Sequence, residues 1–424
     1  MIDFDDGNGP LIAHKHTNGG GWVSDSASVD ERVYVGPNAR VYGDAQVFGD
    51  AQVFGNAKVY GDAEVYGDAK VYGYAEVYGD AEVFENAEVY ETVQVYSDAK
   101  VFGFSKVFEY AQVFGDSIVS GHAKVYGNAK INGNSGVSGY AVVYGDAVVY
   151  GDAEVYGDAR VSGNVMVSGY AVVSGDAEVT ENAMIYGNSK VSGYAQVSGD
   201  SKISGNAEVT GDADVSGYAQ VSGNSKVTGD ALVSENSEVS GDTMVSGDAE
   251  VTGDAEVSGY AQVSEKAEVT GYALVSEKAE ITGDSMVSGN AVIYGDAHVS
   301  GNAEVTGEAM VSGNAEVTGD TMVSGDAQVS GDAMVSEKAE VTGDAMVSGN
   351  AMIYGDAMVS GNATVSGYAG IYGDAQVSGY AKVYGYAKVY GYAKVSGNAK
   401  VCGDAKVYGN SLVTGNDLVY GEVK

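Results

Sequence analysis

The sequence repeats every six residues from Val23 to its end. Every sixth position from Val23 to Val419 holds Val or Ile, and no residue is inserted or deleted between these positions. In most hexads this residue is followed by Tyr, Ser, Thr or Phe, then by Gly, then by Asp or Asn, then by Ala, and finally by a variable residue. A fixed short period is typical of a solenoid, in which each repeat packs on its neighbours. We number the hexad positions one to six, starting from the Val.

Each hexad has the pattern of a short β-strand followed by a corner. Positions five, six, one and two form a four-residue stretch, and successive strand side chains point to opposite faces. Positions five and one therefore face inward, whereas positions six and two face outward. Gly at position three bends the chain without steric cost, and Asp or Asn at position four hydrogen-bonds the local backbone. A helix is excluded by the period, by the β-branched residue in every repeat and by the frequent Gly.

Three such corners, each of about 120°, close a triangular coil of three hexads. The sequence thus predicts an all-β fold, a single-stranded triangular parallel β-helix of about 22 coils over residues 23–424, with residues 1–22 as an N-terminal cap. Trp22 is expected to cover the first coil. Substitutes for Ala at position five are small, such as Ser105 and Thr243, as expected for a narrow core. Asp417 is the exception. We expect its side chain to be exposed to solvent, because it lies in the second-last hexad, where the stack of coils ends.

The charge of the chain excludes several classes of partner. With 22 Lys and Arg against 59 Asp and Glu, the formal net charge is −37. Such a surface repels the phosphates of nucleic acids and anionic membranes. A hydrophobic content of 44% is too high for a disordered chain despite 63 Gly. Because neither a signal peptide nor a membrane-spanning apolar run is evident, we expect a soluble protein, located in the cytoplasm or within a phage particle.

The segment Val41-Tyr-Gly-Asp-Ala45 shows an aliphatic residue with a small residue four positions later. This pattern resembles the hexapeptide repeat of left-handed parallel β-helix proteins, a family that includes many acyltransferases. Asn18-Gly-Gly-Gly-Trp22-Val23, running into Val35-Gly-Pro-Asn-Ala39, also resembles the opening of uncharacterised bacterial and phage hexapeptide-repeat proteins described as transferases. The resemblance implies left-handed winding, which the period alone does not. A right-handed bactofilin-type β-helix, which forms filaments, has a similar coil length and is the alternative to left-handed winding.

For an enzyme, the resemblance implies two further features: a loop extruded between coils, and a His near a subunit interface that acts as general base. No loop interrupts the hexads here. Under the enzyme alternative the catalytic candidates are His122, at a corner, and His298, at an outward position, and we expect both to be solvated surface residues. No cofactor and no metal are predicted. Acidic corners lack the nonapeptide of calcium-binding solenoids, and His14 with His16 is a weak metal pair.

Aromatic residues occupy position two in thirteen consecutive hexads, a set that we call the aromatic collar. Since three hexads make one coil, these residues are expected to form three vertical ladders, one on each face. Such ladders stabilise strand pairing, and an exposed apolar collar would also bind another protein chain. The collar consists of Tyr42, Phe48, Phe54, Tyr60, Tyr66, Tyr72, Tyr78, Phe84, Tyr90, Tyr96, Phe102, Phe108 and Phe114.

The last hexad, starting at Val419, has no capping segment in this sequence, and an open strand edge favours docking or aggregation. The favoured interpretation is a non-enzymatic structural or interaction protein. It would act as a rigid rod or fibre-like scaffold that contacts a protein partner, or itself as a trimer or end to end, through the collar and the uncapped C-terminal end. One alternative is an acyltransferase-like enzyme that uses acyl-CoA at an inter-subunit site. Another is a phage or cell-surface fibre.

Overall fold

The computed structural model describes residues 1–4, 7 and 9–424 of the chain. These residues form β-strands and turns without any helix, so they contain no helix able to cross a membrane. The chain divides into two compact units, Met1–Gly211 and Asp212–Lys424. Each unit is built from three parallel sheets with an 18-residue repeat, and the two units together contain about 22 coils. The predicted all-β solenoid with three sheets is confirmed.

Almost every strand contains two residues, position six of one hexad and position one of the next. These strands start with Ser28–Val29 and recur every six residues as far as Leu418–Val419. They are shorter than the four-residue alternating pattern, because positions five and two already flank the corners. The longer or differently placed strands are Ala13–Lys15, Trp22–Ser24, His298–Gly301, Glu316–Gly319, Met352–Tyr354, Gly370–Tyr372, Lys388–Tyr390 and Glu422–Val423.

Successive coils stack in parallel, and many hexads send three backbone N–H groups to the next coil. Val41 pairs with Val59, one coil later. The N–H of Phe48 at position two donates to the carbonyl oxygen of Val65 at 3.1 Å, and positions four and six donate in the same direction. Every outward side chain therefore lies directly beside its equivalents in the neighbouring coils, at the strand spacing of about 4.8 Å.

The inward positions form a dry core of Val, Ile and Ala whose side chains are almost all fully buried. Hydroxyl residues at position five are buried as well, and the Ser105 Oγ donates to the carbonyl oxygen of Phe102 at 2.8 Å. Asp417 is exposed, as expected, and its Oδ2 accepts a hydrogen bond from the N–H of Thr414 at 3.3 Å. Position five thus accepts Ala, Ser, Thr and a few Val in the buried core, and the one charged residue at position five, Asp417, lies where the burial ends.

The N-terminal residues cover the first ring of the collar. Strand Ala13–Lys15 pairs antiparallel with Trp22–Ser24. Phe4 is fully buried and its ring stacks on Tyr42 with a centroid distance of 4.6 Å. Trp22 is half-buried in the first strand of its sheet, where the Lys15 Nζ lies 4.3 Å from the ring centroid. Phe4, which was not predicted from the sequence, therefore makes the most buried contact of this segment.

The final strand departs from the predicted register. Glu422 pairs with Lys406 and Val423 with Val407, so the last coil is shorter than the regular repeat. The expectation of an unbroken register is therefore wrong for the last hexad. Strict register would pair Lys424 with Lys406, two like charges, whereas the observed pairing brings opposite charges together, with 3.0 Å between the Lys406 Nζ and the Glu422 Oε1. It also places Val423 beside Val407, where two β-branched side chains pack.

Position three adopts the left-handed backbone conformation that Gly accepts without strain. Gly259 has φ +75°, and a Cβ added there would lie 2.8 Å from the backbone N of Glu277 in the next coil. Glu277 itself has φ +61°, one of several Glu residues at this position. A residue with a Cβ loses about 1–2 kcal/mol in this conformation. The corner geometry is thus imposed by the fold even where the sequence does not supply Gly.

Opposite changes at this corner are expected to have opposite effects on stability. Glu277→Gly should raise the free energy of unfolding by about 1 kcal/mol, because it removes the strain of the left-handed conformation. Gly259→Ala should lower it by at least about 1 kcal/mol, because strain and the close contact with Glu277 add. Urea unfolding followed by circular dichroism measures both values. Two shifts of the same sign would contradict this explanation of the corner.

Candidate functional site

The aromatic collar lies in the N-terminal unit and forms three stacked ladders. Position two directly follows each strand and points outward, so rings one coil apart meet face to face. Within each ladder, neighbouring collar rings have centroids 4.7–5.0 Å apart and planes within 8° of parallel. The ladder that starts at Phe54 continues through Tyr126 to Tyr144. Near-parallel rings at these distances are in the range of favourable offset stacking.

Stacking leaves ring edges, rather than whole rings, at the surface. Tyr42 is only 4% exposed because Phe4 covers it, and Phe48 is the most exposed member of the collar at 36%. The other collar residues are half-buried. The ladders therefore hold neighbouring coils together, and they also present three strips of aromatic edges to a partner.

Charged residues at position six form columns beside the ladders. The Lys100 Nζ lies 2.9 Å from the Glu82 Oε1, and the Tyr66 hydroxyl donates to the Glu82 Oε2 at 3.0 Å. The hydrogen bond from Lys100 holds the pKa of Glu82 below its ordinary value. Burial, followed by the hydrogen bond to Glu82, raises the pKa of Tyr66 to about 12. Burial likewise raises the pKa of Tyr72 to about 12, so these ladder tyrosines stay neutral and compatible with stacking at physiological pH.

The ion pair of Glu82 with Lys100 predicts a pH-dependent part of the stability. Because the folded pKa of Glu82 is lowered, the stabilisation is present above the ordinary carboxyl value and is lost as the pH falls through the lowered pKa. Glu82→Gln should reduce the free energy of unfolding by about 0.5 kcal/mol at pH 7, a size typical of a partly exposed pair, and should have no effect at pH 2.

Glu154→Gln is the matched control for this measurement. Glu154 is also at position six, but its neighbours in the column are Gly136 and Val172, which carry no charge. Its replacement should leave the difference in stability between pH 7 and pH 2 unchanged. Equal effects of the two variants at pH 7 would contradict the role of the ion pair.

His122 lies within a second kind of aromatic stack, formed by position four at the corners. Its ring is sandwiched between Phe104 and Tyr140, with centroid distances of 5.1 and 4.7 Å. All three side chains are exposed. His122 thus lies at the surface, where it was expected, but its two stacking partners were not predicted. Their spacing of one coil on either side of His122 was the signal that could have found them.

His298, the other candidate base, lies on the C-terminal unit and has an acidic neighbour. Its Nδ1 is 3.4 Å from the Glu280 Oε2, one coil earlier in the same column. A groove of about 540 Å³ beside this pair is lined by Tyr260, Gln262 and Lys278 among others. His298 was expected to be a solvated residue, and Glu280 was not predicted as its partner. The structure therefore gives His298 an orienting carboxylate and an adjacent open groove.

His14 and His16, in the N-terminal segment, contact different partners. The His14 Nδ1 lies 3.3 Å from the Asp25 Oδ1, whereas the His16 Nδ1 accepts a hydrogen bond from the N–H of Asn18 at 3.3 Å. Within residues 1–4, 7 and 9–424, no group of three or more His, Cys, Asp or Glu side chains is arranged to hold a metal ion.

Apart from Tyr420 near the end of the chain, the most exposed aromatic rings lie at position four and not in the collar. From the sequence, the corners were expected to be mainly acidic turns. The structure shows that the corner rings project from the surface with exposed fractions of 54–69%, because a corner has no flanking strand to shield them. They are Tyr74, Phe104, Tyr110, Tyr140, Tyr170, Tyr194, Tyr218, Tyr260, Tyr272, Tyr368, Tyr380, Tyr386 and Tyr392.

Two segments of the chain are similar to a known repeat. A family model described as the YdcK beta solenoid repeat matches residues 159–175 and 351–367, one segment in each unit. No curated protein matches the chain. Both the match of these two segments and the geometry of the coils indicate a β-solenoid repeat protein.

Proposed function

We propose that this chain is a non-enzymatic structural protein, a stiff scaffold that associates with further copies of itself through the aromatic collar. The observation that carries the proposal is the presence of three uninterrupted ring ladders on one unit, one ladder on each face. Rings stacked at 4.7–4.9 Å fix each coil against the next. A unit built in this way resists bending and offers flat faces on which a partner can pack.

The spacing of the collar favours a second copy as the partner. Ring edges recur along each face at the strand spacing of about 4.8 Å, and a second collar has the same period. Two such faces can therefore align their ring edges over several coils, and aromatic residues are enriched at the centres of protein interfaces. Three equivalent faces suit side-by-side packing, for example in a trimer.

A second contact surface is proposed on the last coils of the C-terminal unit. Leu412, Leu418 and Tyr420 have exposed fractions of 64%, 51% and 68%. Large apolar side chains grouped at the surface are a common feature of association sites. End-to-end contacts through this surface would extend an assembly that the collar holds side by side.

The winding hand and the protein family of the chain are also proposed here. We infer left-handed winding and a relationship to hexapeptide-repeat proteins from the pattern of Val41-Tyr-Gly-Asp-Ala45 and from its many repetitions. The similarity of two segments to a beta solenoid repeat supports the repeat class in general. A location in the cytoplasm or within a phage particle stays a prediction from the sequence.

An acyltransferase activity is the second candidate, and the pair of His298 and Glu280 favours it. A His held by a carboxylate beside an open groove is an arrangement suited to a general base. Saturable stabilisation of the protein by acetyl-CoA in a thermal-shift assay, lost in His298→Ala, would support this candidate.

The scaffold proposal is tested by light scattering coupled to size-exclusion chromatography. The full chain should form concentration-dependent oligomers. The triple variant Phe48→Ser, Phe84→Ser, Phe102→Ser removes aromatic edges from one face and should weaken association at least tenfold. Ser is a suitable replacement because this unit already carries Ser at position two, as in Ser162 and Ser174.

The double variant Tyr390→Ser, Tyr408→Ser is the matched control. It removes a ring pair stacked at 5.2 Å in the C-terminal unit, outside the collar, and should leave collar-dependent association unchanged. Circular dichroism must show that both variants are folded. A monomer at all concentrations, or equal association by the triple variant, would refute self-association through the collar.

A further inference from the structure

One corner column of the N-terminal unit has a gap between two exposed rings. Tyr74, Thr92 and Tyr110 occupy position four in three consecutive coils. Both tyrosines are 65% exposed, and Thr92 is exposed and short. At the strand spacing, the two tyrosine positions are about 9.6 Å apart along the column. No other corner column in the sequence has two aromatic residues separated by a single non-aromatic residue.

A neighbouring corner shows the same arrangement with the gap filled. Phe104, His122 and Tyr140 also occupy position four in three consecutive coils, and their rings stack within 6° of parallel. Corner rings in adjacent coils therefore face one another at the coil spacing. By comparison, the column of Tyr74 and Tyr110 has room for one additional ring above Thr92.

The floor and side of this gap are polar. They belong to a groove of about 660 Å³ whose lining includes both tyrosines, Thr92 and the adjacent column at position six. In that column the Lys58 Nζ donates to the Glu76 Oε1 at 2.9 Å, and the Gln112 Nε2 donates to the Gln94 Oε1 at 3.2 Å. A ring placed between the tyrosines would thus have carboxylate, amide and ammonium groups along its edge.

The geometry points to a saccharide-binding site in which one pyranose unit inserts between Tyr74 and Tyr110. Aromatic faces stack favourably with a ring at centroid distances from about 4.5 Å, and two such contacts fit within a separation of about 9.6 Å. The C–H groups on the two faces of the sugar pack on the tyrosines. Its hydroxyl groups radiate from the ring edge toward the polar column.

The polar edge selects a sugar over an aromatic hydrocarbon. Each hydroxyl both donates and accepts, which matches the mixed amide and carboxylate groups of Glu76, Gln94 and Gln112. A purely apolar ring would cover these groups without giving them hydrogen bonds, at a cost in free energy. The net charge of −37 disfavours a nucleotide, which would bring phosphates. This site is separate from the collar and goes beyond the scaffold function.

The test is saturation-transfer NMR on the full chain with cellohexaose, maltohexaose and chitohexaose as probes. We expect saturable binding of at least one of them. Tyr110→Ala removes one stacking face and should weaken binding at least tenfold. Thr92→Tyr should fill the gap from within and abolish binding. The column of Phe104, His122 and Tyr140 indicates that three successive rings are accommodated, so this variant should fold normally.

Tyr170→Ala is the control, because Tyr170 is 66% exposed at a corner whose column has no aromatic residue within two coils. It should bind like the unaltered chain. The proposal is overturned if none of the three hexasaccharides binds, or if Tyr110→Ala and Thr92→Tyr bind as well as the control. Binding of p-cresol in the gap without binding of any saccharide would assign it to an aromatic side chain and also overturn the proposal.

Discussion

The structure depends on hydrogen bonding between coils that stack in strict register. Many hexads donate three backbone N–H groups to the next coil, and this pairing fixes the distance between equivalent side chains at about 4.8 Å. The inward positions then leave room only for Val or Ile at position one and a small residue at position five. Core packing and hydrogen bonding support each other, because a slip of one residue would turn the polar side chains into the core.

Register stacking also explains why the surface features are columns. Residues at the same hexad position in successive coils meet along a face, so aromatic residues form ladders, and Glu and Lys that fall in adjacent coils form ion pairs such as that of Glu82 with Lys100. The same rule places Tyr66, Glu82 and Lys100 in contact although they belong to three separate hexads. A single substitution in a column, such as Thr92 between two tyrosines, creates a gap of one ring. Specific sites can therefore arise in this fold without any inserted loop.

Much of the fold follows from the period alone. The inward positions, the corners and the three sheets were predictable, because the alternation of side chains and the Gly at position three allow few other arrangements. The collar ladders followed from the same arithmetic. Phe4 was missed because it lies outside the repeat, where no periodic signal applies, and its burial depends on the tertiary contact with Tyr42. The shifted last strand was missed because pairing there is decided by charge and by Val423 rather than by the period. The corner tyrosines were visible in the sequence, but their exposure and the groove between them depend on the three-dimensional corner.

Cross-linking of corner residues tests the in-register stacking most directly. Asp44 and Asp62 lie at equivalent exposed corners of adjacent coils, whereas Asp50 is closer in sequence but lies at the next corner of the same coil. In a chain whose buried Cys402 is replaced by Ser, paired cysteines at 44 and 62 should form a disulfide under mild oxidation, because Cα atoms about 4.8 Å apart are within bonding range. Cysteines at 44 and 50 should stay reduced, as read by mass spectrometry after thiol labelling. Oxidation of the second pair and not the first would contradict the coil register on which the fold depends.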